Sequence, residues 1–329
     1  MNLSTATFTL TYNNKDITSD IAQYVLNLSY TDKVKGESDE LEITLEDSDG
    51  RWMNGWYPDK KAKLNLIIRQ GYRQLDCGSF ELDEVGTSGS TSGSTFTIKA
   101  LAAGISKSMR TKRSYAHEDK SLREIANTVA ASLGLTLQGT VENIVLHRQH
   151  QYRETDLGFL NRIGSEYGYV FSVRGSNLIF TYYLDLENRA ASLSLSKQQL
   201  TGWDLKDTTN KTFKAARTRH HNPLSKEQVE YVESLPDETD SEDDLELHSR
   251  VENKQQAEAK TKHALHKANT AGVSGTVTTS GNLLLLSGNN VSLPDMGVLS
   301  GTYHIEESRH AIDRDGGYVS DVDIKRVKK

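Results

Sequence analysis

The chain has 329 residues, room for about two units that each bury a core. Its 36% hydrophobic and 26% charged residues, with only 4 prolines, exclude a disordered or collagen-like class. A formal net charge of -6 offers phosphate backbones no general attraction, and the single cysteine, Cys77, excludes an intrachain disulfide or a multi-cysteine metal site.

The first residues, MNLSTATFTLTYNNKDI, lack a basic region followed by an apolar run, so no secretory signal is expected. Nor does any stretch approach the ~18 apolar residues that cross a bilayer. Short β-rich runs then alternate with polar turns: ATFTLTY, YVLNLSY, DELEITLED, AKLNLIIRQGY, GSFELDEVG and STFTIKAL. Leu41, Ile43 and Leu45 share one face while Glu40, Glu42, Thr44 and Glu46 share the other, the period of a half-buried strand. Several such strands predict a sandwich or barrel. GTSGSTSGS, from Gly86 to Ser94, is too poor in apolar groups to pack and reads as a mobile loop between strands, with a linker as the alternative. It lacks the lysine and Ser/Thr that close a phosphate-binding loop.

From Asp119 to Gly134 the period changes. Leu122, Ile125, Ala126, Val129, Ala130 and Leu133 line one helical face, Ser121 and Glu124 form a capping box, and Gly134 supplies the left-handed stop. The stretch from His150 to Phe171 repeats this grammar. Thr155 caps a helix whose buried face is Phe159, Leu160, Ile163 and Tyr167, and Gly168 ends it. A hairpin follows, Tyr169 to Val173 and Leu178 to Tyr182, turning at Arg174-Gly175-Ser176-Asn177. The β pattern resumes with LSLS and TGWDL. Glu233 to Leu247 is an acidic run that reads as a solvated excursion, since it has no EF-hand spacing. A helix is predicted over 253–271, then strands at VSGTVTT, LLLL, NNVSL, GTYHIEESRHAI and YVSDVDIKRV, the last two joined by a turn at 313–317. The predicted class is β-rich α+β, two β regions flanking a central α/β insertion.

Catalytic constellations are weak. His220 and His221 lack a partner at ligand spacing, and His263 and His266, three apart on a predicted helix beside Lys262 and Lys267, read as a solvated face. Trp52, Trp56 and Tyr57 lie near Asp47, Asp49 and Asp59, a set that a glycan hydrolase or glycan-binding module would use, although aromatics just after a strand more often finish a core or an interface. Nucleophile elbows and cofactor fingerprints are missing, so no catalytic residue, metal or cofactor is assigned.

One pattern is specific. Tyr152, Arg153, Glu154, Thr155 and Asp156, then Phe159 and Leu160, Gly168, and Tyr169 and Phe171 resemble the signature of the phage late control protein D family and of the related N-terminal hub region of VgrG-type spike proteins. Gly301, Tyr303, Ile305, His310, Gly317 and Tyr318 resemble that family's C-terminal pattern, and SLREIANTVAASLGL its upstream helix. The resemblance covers about three quarters of the chain and is weakest before Glu84 and over the acidic run.

The resemblance implies two tube-like β-barrel or sandwich domains, expected at 1–105 and 189–329, around an α/β insertion at 106–188. It implies a non-enzymatic hub in the tail baseplate of a phage or tailocin, assembled in the bacterial cytoplasm. As a homotrimer of pseudo-six-fold symmetry, this hub would join the central spike protein to the tail tube or tube-initiator protein, with baseplate wedge and tape measure proteins as further partners. The signature residues would be structural, with Arg153, Glu154 and Asp156 fixing a helix entry. VgrG proteins continue into an oligonucleotide-fold domain and a β-helical spike, so the spike is expected to be a separate polypeptide. Neither nucleic-acid specificity nor a membrane anchor is expected. The alternative from the same machine is another baseplate or tube-initiator component.

Overall fold

The computed structural model describes residues 6–34, 38–91, 93–102, 111–174, 177–208, 213–222, 226–234, 243–270, 272–315 and 317–327. With 55% strand and 19% helix, the chain has the β-rich α+β fold that its sequence predicts.

The first region holds β1 (Ala6–Tyr12), β2 (Lys15–Asp16), the one-turn helix α1 (Thr18–Ile21), β3 (Val25–Lys33), β4 (Glu40–Glu46), β5 (Lys63–Gln70), β6 (Arg73–Ser90) and β7 (Gly93–Ala102). The strands pair in the order β3-β4-β7-β6-β5-β1-β2, all antiparallel. Alternation decides which face is inside: Leu41, Ile43 and Leu45 of β4 meet Leu64, Leu66 and Ile68 of β5, Phe80 of β6 and Phe96 of β7 in one buried cluster. Burying such a side chain stabilises by roughly 1.5–3 kcal/mol. The Gly/Ser/Thr tract at 86–94 is not the expected loop. It is the end of the β6-β7 hairpin, paired from Gly86 with Thr97 to Ser90 with Gly93; residue 92 lies outside the described residues. Composition misleads here because the backbone ladder supplies the pairing, and neither face has to bury anything.

The middle region holds β8 (Arg113–Ser121), α2 (Leu122–Ser132), β9 (Thr136–Gln138), β10 (Val145–Glu154), α3 (Asp156–Tyr167), β11 (Tyr169–Arg174), β12 (Asn177–Tyr182) and α4 (Tyr183–Glu187). Residues 175 and 176 of the expected hairpin turn lie outside the described residues. β8 and β10 form a two-stranded ribbon, and β9, β12 and β11 a three-stranded sheet. Between them, Ile125, Ala126 and Val129 of α2 pack with Phe159, Leu160 and Ile163 of α3 and with Phe171, Leu178 and Phe180 of the sheet. α2 begins at Leu122, as the Ser121 cap predicts, after Asp119 to Ser121 complete β8; Ser121 and Glu124 close a reciprocal capping box.

The third region holds β13 (Leu193–Ser194), β14 (Leu200–Asp207), β15 (Ala215–Asn222), β16 (Glu227–Ser234), β17 (Asp244–Leu247), α5 (Lys254–Thr270), β18 (Val273–Ser280), β19 (Asn290–Leu293), β20 (Gly301–Asp313) and β21 (Gly317–Arg326). β14-β18-β21-β20 continue the order of the first sheet because β20 pairs with β3, so the two ends of the chain share one 13-stranded sheet. β15, β16 and β17 form a separate sheet against which α5 packs.

Two readings of this region are corrected. The acidic run is not wholly an excursion: Glu233 and Ser234 end β16, and Asp244–Leu247 pair in parallel with β15, while residues 235–242 lie outside the described residues. The apolar LLLL tract is a turn, not a strand. Leu283 and Leu285 are buried, but Leu285 N–H bonds to Asn282 O and Leu284 N–H to Asn282 Oδ1 at 3.0 Å, which curls the backbone out of the ladder.

Candidate functional site

The two signature stretches form two separate sites. The first lies where β10 hands over to α3. A bulge between Tyr152 and Glu154 breaks the pairing with β8, and Arg153 takes a left-handed backbone conformation, φ 50°. The bulge turns the chain into the helix entry. There Thr155 Oγ1 accepts a hydrogen bond from Gly158 N–H at 3.0 Å. Asp156, at the positive end of α3, is buried and accepts from Gln151 Nε2 at 2.8 Å and Ser132 Oγ at 3.1 Å, with Arg113 Nη1 3.2 Å away. Glu154 accepts from Arg162 Nε at 3.2 Å.

At the far end of the helix, Gly168 adopts φ 81°, and a Cβ on it would stand 2.7 Å from Tyr182 and 2.8 Å from His263 Nδ1. Only glycine fits both the conformation and the space. Tyr169 follows, stacked on Phe180 at 5.1 Å; its hydroxyl accepts from Glu142 N–H at 3.0 Å, and burial pushes its pKa up to about 12. Phe171 is buried, while Tyr152 and Arg153 face solvent with the guanidinium 5.7 Å from the ring centre. Glu154 and Asp156 are thus engaged at the helix entry, Glu166 is paired with Lys260, and Ser165 bonds to Arg162 O rather than to a base. The arrangement caps and orients a helix.

The second site lies on the seam between β3 and β20. Tyr303 and Ile305 fill the core beside Val322 and Ile324, and the Tyr303 hydroxyl donates to Leu299 O. His310 is fully buried. Its Nε2 is 2.9 Å from Leu285 O, and a carbonyl can only accept, so Nε2 carries the proton and Nδ1 accepts from the Tyr318 hydroxyl at 2.7 Å. Ser308 Oγ also donates to Leu285 O, and Ser320 Oγ lies 3.2 Å from Nδ1. The imidazole lies nearly parallel to the ring of Tyr30 of β3, with centres 6.2 Å apart, and meets Tyr318 of β21 with centres 6.0 Å apart. Burial drives its pKa down to about 4, so the ring is neutral at neutral pH. Gly281 lets Tyr318 lie against the backbone, because a Cβ there would come within 1.9 Å of the ring. Gly317 opens β21 with φ 74°; Gly301 passes beside Arg326. Leu285 and Gly281 carry no chemical label in the sequence, and only the folded chain brings them to His310.

The other candidates do not assemble a reaction centre. Trp52 is buried, with its indole N–H on Glu46 O at 3.1 Å, and Asp47 accepts from Trp52 N–H at 3.0 Å. Asp49 is paired with Arg51, and the aromatic edges of Trp52, Trp56 and Tyr24 meet in T-shaped contacts. His220 and His221 occupy successive positions of β15 and so point to opposite faces. His263 and His266 do not form the expected solvated face. His263 packs beside Gly168 with its pKa lowered to about 4, chiefly by burial, and His266 Nε2 lies 2.5 Å from Oε2 of the buried Glu187. Helical spacing gave their direction but not what faces them. Among the described residues, no group of three or more His, Cys, Asp or Glu is placed to hold a metal ion.

No protein-family model matches the chain. Over 176 residues, 53% of its length, it is 31% identical to the "Probable baseplate hub protein" of Escherichia phage 186, and the match covers 44% of that relative. Over that part the chain is similar to phage baseplate hub proteins. The match spans a little under half the length of the curated relatives. Among solved structures, the 43 kDa tail protein of prophage MuSo2 from Shewanella oneidensis superposes with a TM-score of 0.74 at 13% identity, over 98% of both chains. A component of the type VI secretion system from E. coli, described as similar to T4 bacteriophage tail proteins gp27 and gp5, superposes with a TM-score of 0.58 at 13% identity, over 93% of this chain and 74% of that one. At such identities the structures establish a shared fold, which is that of phage tail proteins.

Proposed function

We propose that the protein is the structural hub of a contractile injection machine, a homotrimer that connects a central spike protein to the six-fold tail tube in the baseplate of a phage tail or tailocin. The observation that carries this reading is the 31% identity to a named baseplate hub protein, reinforced by a tail-protein fold over 98% of the chain. The shared sheet supports it. Residues 1–105 and 189–329 act as the two β domains, locked side by side through β3 and β20, so three chains would place six β domains around a channel. The α/β unit of 106–188 is the insertion between them. In this reading the signature residues build the hub and perform no chemistry. The particle forms in the bacterial cytoplasm, and wedge, tube-initiator and tape measure proteins are neighbours in the same assembly.

Co-expression with the adjacent spike gene followed by a mass measurement tests it. A 3:3 complex is expected; a persistent monomer that ignores the spike protein and degrades peptidoglycan would overturn it. Substituting Glu154→Ala and Asp156→Ala should lower the yield of trimer by loosening the entry to α3. Intact assembly with loss of a lytic activity would contradict the structural role.

A further inference from the structure

A cleft of about 730 Å³ opens where β10 and α3 face α5 and residues 247–252. In a chain of net charge -6, its walls among the described residues carry Arg148, Arg162, Arg250, Lys260 and Lys267 against two carboxylates, Glu166 and Glu252. Two of these cations belong to the frame: Lys260 Nζ donates to Glu166 Oε2 at 2.9 Å and to Arg250 O at 3.1 Å, and Arg162 is held by Glu154. The others are held loosely. Arg148 lies 3.4 Å from Glu118 with its side chain 57% exposed, Arg250 lies 3.8 Å from Glu252 with its side chain 70% exposed, and Lys267 is exposed. On the same walls, Ser249 Oγ and His263 Nδ1 are buried with no hydrogen-bond partner among the described residues.

We infer that this cleft docks an extended acidic polypeptide segment of a partner protein. Exposed ion pairs at these distances contribute little and exchange readily for an incoming carboxylate, which a guanidinium fork can hold in two parallel bonds. The cations come from four separate segments of the chain, so they match a row of carboxylates better than a single phosphate. Single-stranded nucleic acid would need aromatic platforms for its bases. The aromatic residue on these walls, Tyr167, is buried with Lys260 Nζ 5.0 Å from its ring centre. The inference does not depend on the hub reading, since the cleft lies away from the shared sheet.

Fluorescence anisotropy of a labelled ten-residue oligo-glutamate, titrated with the full chain at low salt, tests it. Saturable binding is expected, weakened as salt screens the charges, and weakened about tenfold or more in the triple variant Arg148→Glu, Arg250→Glu, Lys267→Glu, whose exposed positions spare the fold. The reversal Lys197→Glu, on another surface, should leave binding unchanged. Absence of saturable binding, or binding that the triple variant leaves intact, would overturn the inference. So would tighter binding of a length-matched single-stranded oligonucleotide, or competition by inorganic phosphate alone at equal concentration.

Discussion

The two signature stretches resemble one family's pattern for opposite physical reasons. From His150 to Phe171 the residues obey local rules: a bulge, a cap, an apolar helical face and a left-handed stop, with most partners inside the same α/β region. From Gly301 to Tyr318 the meaning is non-local. Besides Tyr318 and Ser320 of the adjacent strand, His310 meets Tyr30, which lies 280 positions away, and a leucine carbonyl in a turn. A motif can therefore identify a protein without telling whether its residues shape one helix or bolt two regions together.

Substitutions can break this contrast. The largest effect is expected for Gly281→Ala, whose methyl group would collide with Tyr318 and pull its hydroxyl from His310; urea unfolding should show a loss of about 3 kcal/mol. A pH scan probes the same seam. Burial holds the folded His310 near pKa 4 while the unfolded ring titrates near 6.5, so the unfolded chain takes up the proton first. Its contribution to stability is complete above pH 6.5 and is lost as pH falls toward 4, by up to about 3 kcal/mol. The His310→Gln variant should flatten that part of the profile, leaving the slope due to His263.

At the helix site the effects should be smaller and local. Gly168→Ala meets both a left-handed backbone and the His263 ring, and about 2 kcal/mol is expected. Thr155→Ala should cost about 1 kcal/mol, the usual value of a lost cap. Tyr152→Ala should change the stability of the isolated chain by less than about 0.5 kcal/mol, since the side chain faces solvent. A larger effect on assembly than on unfolding would mark Tyr152 as a contact residue.

What was legible in the sequence follows the same division. Both capped helices, the face of β4 and the hairpin of β11 and β12 were readable because their signals repeat within a few residues. The Gly/Ser/Thr tract was misread because a ladder needs backbone rather than side chains, and LLLL because apolar content specifies burial but not pairing. His266 was placed on a solvated face because its partner, Glu187, lies 79 positions away. Asp156 was legible as a helix-entry residue, but its partners Ser132, Gln151 and Arg113 form no recurring pattern.

The pairing of β3 with β20 also sets a timetable. Asn27 meets Asp313, so the seam cannot close until residue 313 has left the ribosome. Until then the edge of β3 stands open, with the closure of a loop of 286 residues still ahead, a topology that slows folding and exposes an edge to stray partners. Synthesis of this protein is thus a race between β20 and any other strand that arrives first.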